Sequence, residues 1–420
     1  PGGGASARAP GLVGQLRSSV ALTRLVASSV ELYRQVAAKD VDVKNDPMTA
    51  EATSLPNSVF RGVGSIRVAS SEARWKEMQS QKKILDAARV QAFLLSPEET
   101  LEKFPLLTTA SIVGGLWIPE DGTAEGFGLV QAMKRQAAEL GVQFYCHSDG
   151  AKVVNIRTRP GCAEESARGT VASVTGVETE NGVIWSNCIC VAAGAWSGTL
   201  LEPLRYGRRL PLVPINIQAG ITPRLSSLRP PCRELPNLRD PDLNLYARQR
   251  GDTLIVGGAE AKIPIVSETE LRAKGQHWSN PFDAERFEHV SASLRRCLAR
   301  PTSNDPQRAV ATPSTLSLQR GTSGVEAFAS DGLPIVGPCP WVQGLWVLCG
   351  MNGHGFSLSG GLAGAMARWM VEGVQPTDLK GLGWERCGFG DRDSDHEDVT
   401  RLFAGYYEIK SVHGTNRSKL

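Results

Sequence analysis

One stretch constrains this chain more than any other: CGMNGHGFSLSGGLAG, residues 349–364. Glycines let a backbone approach a ligand that side chains would hold off. An amphipathic run, AMARWMVEG, follows at once, and the spacing predicts a helix over 359–372. A glycine-rich loop feeding a helix presents backbone amides to a phosphate or a flat cofactor. Such loops usually open a nucleotide-binding sheet. Here the loop lies near the C-terminus, and the N-terminal stretch holds no G-x-G-x-x-G. The site is therefore expected to be split along the chain.

The rest of the pattern supplies the frame. Leu22, Leu25, Val26, Val30 and Tyr33 recur at helical spacing within 17–38. Residues 40–58 read as a loop, 64–69 (GSIRVA) as a strand, and 71–94 as a charged helix with a following segment. Ser96-Pro97-Glu98-Glu99 is a helix start with acidic residues in its first turn. Residues 115–146 read as a short apolar strand, a turn, a helix over 126–140 capped by Gly141, and a strand over 142–146. Residues 171–196 read as a hairpin turning at Glu180-Asn181-Gly182, then a buried strand. Residues 211–222, 243–250 and 253–260 look like successive antiparallel strands, and 281–299 like a helix. Residues 331–356 read as strand, turn, strand and then the glycine-rich loop. Strands alternating with helices at both ends, around an all-strand middle, indicate two interleaved units.

Composition excludes several classes. The chain has 420 residues, with 46 basic against 43 acidic, a balance that does not predict nucleic-acid binding. Arg205, Arg208, Arg209, Arg295 and Arg296 are scattered and read as solvated faces. No apolar run approaches the ~20 residues of a membrane span. The nine cysteines include no C-x-x-C pair. Cys188 and Cys190 alternate on one strand, so all nine are expected to be reduced, mostly buried thiols, with no zinc site. The N-terminal PGGGASARAP has no apolar signal core and reads as the start of a fragment. Ser418-Lys419-Leu420 matches the peroxisomal address.

Four stretches in order, GLVGQLRSS (11–19), GLWIPEDGT (115–123), VAAGAWS (191–197) and residues 331–361, carry a resemblance. The chain resembles the flavin-dependent amine oxidoreductases of the D-amino-acid oxidase fold, in particular the sarcosine and dimethylglycine dehydrogenase branch. Residues 234–261 support that branch. The resemblance implies an α/β chain with an α+β substrate part. A Rossmann-like FAD-binding domain (1–58, 112–200, 331–375, without its first strand) interleaves with an antiparallel-sheet substrate domain (59–111, 201–330). Residues 376–420 form a C-terminal extension. By resemblance, Arg8, Gly11, Leu12, Val153, Ala193, Gly194 and Trp196 face FAD, with Gly350, Asn352, Gly353, Gly355 and Phe356 as the wall behind its ring. Tyr246 and His354 are the catalytic candidates, and Tyr246 and Ser357 the substrate-side candidates. Plainer readings stand beside these. Asn352 and His354 can serve the loop, Tyr246, Trp196 and Val153 the core, Arg8 the surface, and Asp331 a turn.

Four positions depart from the family pattern. Arg8 stands where relatives carry the histidine that tethers FAD, which implies non-covalent FAD. Ile217 and Ala219 replace a His-x-Tyr pair near the amine. Ser357 replaces a lysine that faces the substrate carboxylate, and a hydroxyl cannot hold a carboxylate as an ammonium does. The implied reaction is oxidation of a secondary or tertiary N-methyl amine by hydride transfer to flavin N5. Electron-transfer flavoprotein or oxygen is the implied acceptor. The alternative is a non-catalytic regulatory flavoprotein, resembling the pyruvate dehydrogenase phosphatase regulatory subunit. The resemblance implies the mitochondrial matrix, and the terminal tripeptide a peroxisome.

Overall fold

A computed structural model describes residues 4–44, 58–107, 112–146, 150–162, 169–204, 211–228, 234–258, 260, 264–275, 280–298, 316, 318 and 320–386. Ser418, Lys419 and Leu420 lie outside the described residues, as does most of 376–420. The first third holds β1 (Leu12–Val13), α1 (Val20–Lys44), β2 (Phe60–Arg61), β3 (Ser65–Ala69), α2 (Glu72–Ala87), β4 (Phe93–Leu95), α3 (Pro97–Lys103), β5 (Gly114–Ile118), β6 (Gly122–Ala124) and α4 (Gly126–Glu139). Next come β7 (Val153–Pro160), β8 (Ala172–Thr179), β9 (Gly182–Trp185), β10 (Ile189–Val191), α5 (Ser197–Leu201), β11 (Leu212–Ile221), β12 (Asn237–Asp240), β13 (Leu245–Arg250) and β14 (Thr253–Gly258). The last are α6 (Glu268–Lys274), α7 (Glu288–Cys297), β15 (Arg320–Ala329), β16 (Ile335–Pro338), β17 (Val342–Gln343), β18 (Leu345–Cys349) and α8 (Gly355–Glu372).

The dominant layer is an eight-stranded sheet in the order β15-β11-β14-β13-β12-β3-β5-β4. Every adjacent pair in it is antiparallel except β12 with β3. Its long seam, β11 on β15, runs from Leu212↔Ala329 to Ile221↔Arg320. One face packs on a core that includes Ile66, Leu238, Ala247, Val256 and Phe287. β5 joins this sheet although it follows residue 112. Gly114 makes that possible: a Cβ there would stand 2.7 Å from the Trp75 ring and 2.9 Å from Leu95 O. A smaller sheet, β10-β18-β16, pairs β10 with β18 in parallel, which leads the chain into the glycine-rich loop.

Two expectations are corrected. Residues 142–146 form no strand; Val142, Phe144 and Tyr145 are exposed and find no ladder partner among the described residues after α4 ends at Glu139. Among the described residues the cysteines are not mostly buried. Cys297, Cys339 and Cys349 are, but Cys162, Cys188 and Cys190 are exposed, the last on β10 at the edge of its sheet. Ser96 and Glu99 do form a reciprocal capping box on α3.

The glycine-rich helix α8 lies directly on α1. A Cβ at Gly361 would stand 1.8 Å from Leu25 O, so only glycine permits this crossing. The Gly361 amide donates to Ser29 Oγ at 2.8 Å. Tyr33, also on α1, donates its hydroxyl to Phe356 O at 2.7 Å. A Gly361→Val variant should lose about 3 kcal/mol or more, because the obstacle is backbone and cannot move aside. Gly364, on the same helix, meets nothing within 4 Å. Gly364→Ala should instead gain about 0.5–1 kcal/mol through a stiffer unfolded chain. Urea midpoints of the two variants check the pair; equal shifts would sink the close-packing account.

Candidate functional site

Helix α8 begins at Gly355, four residues earlier than the sequence pattern alone indicates. Its N-cap, His354, makes no side-chain cap bond, and its first turn carries no acid. The first backbone bond into the helix is Leu358 N to His354 O at 2.9 Å. The amides of Gly355, Phe356 and Ser357 are thus left without intrahelical partners at the positive end of the helix dipole. These residues line a cavity of about 340 Å³. The loop before them is tightly bent, with positive φ at Gly350 (69°), Asn352 (52°) and Gly353 (75°). Asn352 holds that bend. Its Oδ1 accepts from Ala329 N at 2.8 Å, and its Nδ2 donates to Gly350 O at 2.5 Å.

A second cavity of about 590 Å³ opens beside the first. The two share Arg239, Tyr246, Met351 and His354, which form the wall between them. Arg17, Arg67 and Arg239 all face the larger space. Burial, then repulsion from Arg239, pushes Arg17 and Arg67 down to about 9. Burial, then the charges of Arg17, Arg239 and Arg67, holds His354 well below the usual imidazole range, so the ring is neutral at physiological pH. Tyr246 is shifted upward by burial and by the Glu326 carboxylate, so its hydroxyl keeps its proton. The Arg239 guanidinium lies 5.9 Å from the Tyr246 ring centroid. Asp121 accepts from Gln15 N at 2.9 Å and from Ser65 Oγ at 2.5 Å, while burial raises its pKa. Glu326 lines the smaller cavity; burial raises its carboxyl to about 7, against a hydrogen bond from the Gly353 amide.

The structure gathers Gly11, Leu12, Gly194, Gly350, Asn352 and Gly353 around the smaller cavity, together with His354, Gly355, Phe356, Ser357 and Tyr246. Ile217 lines it too, and Ala219 is buried in the sheet. Arg8, Val153, Ala193 and Trp196 do not line it. Arg8 donates to Gly4 O at 3.1 Å, and Trp196 Nε1 to Leu271 O at 3.2 Å. Val153 pairs with Thr179 in the β7–β8 ladder, and Ala193 packs on the core beneath β10 and β18. Both polar ends of Asn352 are engaged by backbone, so it positions the loop. Asp331 accepts from Leu333 N at 3.0 Å, shaping its turn. Sequence reasoning missed Arg17, Arg67, Arg239 and Glu326. The available signal was an arginine inside a short apolar strand, Ser-Ile-Arg-Val-Ala at 65–69.

Glu326 generates a pH prediction. Its carboxyl rises from 4.5 in the unfolded chain to about 7 in the fold. Between those values the folded protein holds a proton that the unfolded chain has released, so stability falls as pH rises and levels off above about 7. Partial exposure of Glu326 keeps the loss to about 1–2 kcal/mol. Urea midpoints of flavin-free protein at about pH 5 and about pH 7.5 measure it. Glu326→Gln should remove that part of the slope; an unchanged slope would assign it to other groups.

Comparison with known proteins agrees with this geometry. The model of the D-amino-acid-oxidase-type family described as "FAD dependent oxidoreductase" matches residues 1–369. The chain is 29% identical to mouse mitochondrial sarcosine dehydrogenase over 88% of this chain and 36% of that protein. It is 27% identical to rat mitochondrial dimethylglycine dehydrogenase, over 92% and 40%. It is 26% identical to the mouse mitochondrial pyruvate dehydrogenase phosphatase regulatory subunit, over 90% and 38%. The chain thus spans well under half the length of these relatives. L-proline dehydrogenase from P. horikoshii shares the fold, with a TM-score of 0.69 at 19% identity, covering 90% of this chain and 87% of that one. The residues present fit a flavin ring. A Cβ at Gly194 meets nothing within 4 Å, which leaves backbone exposed to a flat group, and the open amides of α8 suit an electron-rich edge. With its glycine-walled cavity set against an antiparallel sheet, the chain belongs to the FAD-dependent oxidoreductase family of the D-amino-acid oxidase fold.

Proposed function

We propose that this protein holds FAD non-covalently and oxidises a secondary or tertiary N-methyl amine of the sarcosine or dimethylglycine kind. The observation that carries this reading is the shared wall: Tyr246 and His354 border both the ring cavity and the arginine-lined cavity. Bound FAD supplies a two-electron acceptor at N5. Gly350, Gly353 and the α8 amides hold the ring edge, and Asn352 fixes their bend. The arginine-lined side orients the substrate's anionic group, which places a C–H of the amine at the shared wall. An amine donates hydride only when unprotonated, and the low-dielectric wall and nearby arginines favour that neutral form. Glu326, poised near neutrality, is the carboxylate positioned to take the ammonium proton at the ring cavity. Tyr246, as a protonated phenol, donates a hydrogen bond across the wall. The imine product then hydrolyses to amine and aldehyde. Electron-transfer flavoprotein or oxygen is the proposed acceptor. The mitochondrial names of the relatives support a mitochondrial location, and the matrix is the compartment proposed.

One observation favours a second reading, a regulatory flavoprotein without catalysis. Ile217 puts an aliphatic side chain on the ring cavity where the resemblance places a histidine. Anaerobic addition of sarcosine, dimethylglycine and other N-methyl amines to flavin-loaded protein separates the two. Bleaching of the oxidised flavin band supports the enzyme; no bleaching by any amine, with flavin bound, leaves the regulator. In the enzyme, Tyr246→Phe should slow flavin reduction about tenfold, the worth of one hydrogen bond of ~1.4 kcal/mol. Unchanged single-turnover rates would remove Tyr246 from the mechanism.

A further inference from the structure

The donors that the fold leaves open lie on one side of the shared wall. Arg17 Nε and Nη2, Arg67 Nε and Arg74 Nη2 are buried without a hydrogen-bond partner among the described residues. Arg17, Arg67 and Arg74 line the larger cavity, and none of them lines the smaller one. Glu77, Asp121 and Asp240 line the larger cavity too, and Asp242 pairs with Arg74 at 3.2 Å, so these arginines do not lack countercharge. What they lack is an acceptor for their open N–H groups. A buried donor without an acceptor is costly, and a guanidinium fork is shaped for a carboxylate. The other side of the wall supplies less. Arg239 is the one arginine on the smaller cavity. It leaves no buried nitrogen open, and its guanidinium lies 5.9 Å from the Tyr246 ring centroid. Ser357 offers that cavity only a hydroxyl.

The sheet measures how far the open donors stand from the ring side. Arg67 on β3 pairs with Arg239 on β12, and Tyr246 follows on β13, two strand spacings or about 10 Å from Arg67. The phenol leans further off still: a Cβ at Gly257 on β14 would stand 2.0 Å from Tyr246 Oη. In an α-amino acid such as sarcosine, nitrogen and carboxyl carbon share one carbon and lie about 2.5 Å apart. Such a molecule is too short to give its carboxylate to Arg67 while its C–H bonds stand in the smaller cavity. Three extended carbons open the distance to about 5 Å, one strand spacing, and the arginine stem covers the remainder. We infer that the substrate carries its carboxylate on a spacer of three or more carbons from the N-methyl amine. Arg17 and Arg67 hold the carboxylate, and the amine reaches past Tyr246 and His354. This deepens, and rests on, the amine-oxidising reading of the same site.

The test titrates flavin-loaded protein anaerobically, at one pH and ionic strength, with a series of equal charge. Sarcosine, 3-(methylamino)propanoate, 4-(methylamino)butanoate and 5-(methylamino)pentanoate differ only in spacer length. N-methylbutylamine, which has the four-carbon chain without the carboxylate, measures what the apolar spacer contributes alone. Perturbation of the flavin absorbance reads binding, its bleaching reads reduction, and thermal shift reads binding independently on flavin-free protein. The butanoate or the pentanoate should bind about tenfold or more tightly than both sarcosine and N-methylbutylamine. Arg67→Gln should bring the ratio to sarcosine close to one, and Arg67→Lys should restore part of it. Sarcosine binding as tightly as the longer acids overturns the inference and assigns the carboxylate to Arg239, whether or not Arg67→Gln folds. N-methylbutylamine matching the butanoate overturns it as well. Bleaching by amines with no length preference refutes the spacing alone. A length preference with no bleaching, or with no flavin taken up, refutes the oxidase reading alone.

Discussion

The contact of α8 on α1 is the constraint from which the rest of the site follows. Gly361 lies against Leu25 O with no room for a Cβ, and Ser29 Oγ receives its amide proton. That close approach fixes the axis of α8 and so aims its N-terminus. Tyr33, two turns further along α1, then locks the first turn by donating to Phe356 O and sharing a hydrogen bond with Ser359 Oγ. An uncapped helix end normally collects a side-chain oxygen or water. Here the N-cap side chain supplies no such bond, and the preceding loop is bent by Gly350, Asn352 and Gly353. The cost of leaving those amides open is met by a packed interface elsewhere in the same helix.

Two sources of positive potential converge on His354. On one side is the dipole end of α8; on the other are Arg17, Arg67 and Arg239. An imidazolium between them would add a further like charge in a site shielded from water. The ring therefore stays neutral, and it separates the two cavities without adding to the repulsion. The acidic groups are placed on either side of this field. Glu326 lies in the ring cavity, and Asp121 in the arginine cavity, each with a pKa raised by burial. Burial thus raises one carboxyl in each of the two adjoining cavities, a perturbation that clusters at functional sites.

Much of this was legible in the chain. Alternation in 211–260, the capping box at Ser96 and the glycine run at 349–364 each express a local rule, and the fold obeys them. The glycines that line the smaller cavity were legible because a missing side chain is itself the signal. The arginines were not, because their role depends on register. Arg67 and Arg239 are 172 positions apart in sequence and meet only when β3 and β12 pair in parallel. The run at 142–146 failed for a related reason. Its residues suit a strand, but a strand needs an edge to join, and sequence pattern carries no record of free edges.

The eight-stranded sheet also brings distant parts of the chain to the walls of the two cavities. β3 and β5 come from the first third of the chain, β11 to β14 from the middle, and β15 from the last third. A row across such a sheet therefore samples distant parts of the sequence at a spacing of about 4.8 Å per strand. Arg67, Arg239, Tyr246 and Gly257 form one such row. Its members change from cation to phenol to empty space in three steps, toward β11 and β15, the strands that bring Ile217 and Glu326 to the ring cavity. Under the proposed function, a substrate laid along that row would meet the arginines with one end and the shared wall with the other. Arg67 on β3 lines the larger cavity alone, whereas Arg239 on β12 lines both, so a change at β3 leaves the wall of the smaller cavity in place.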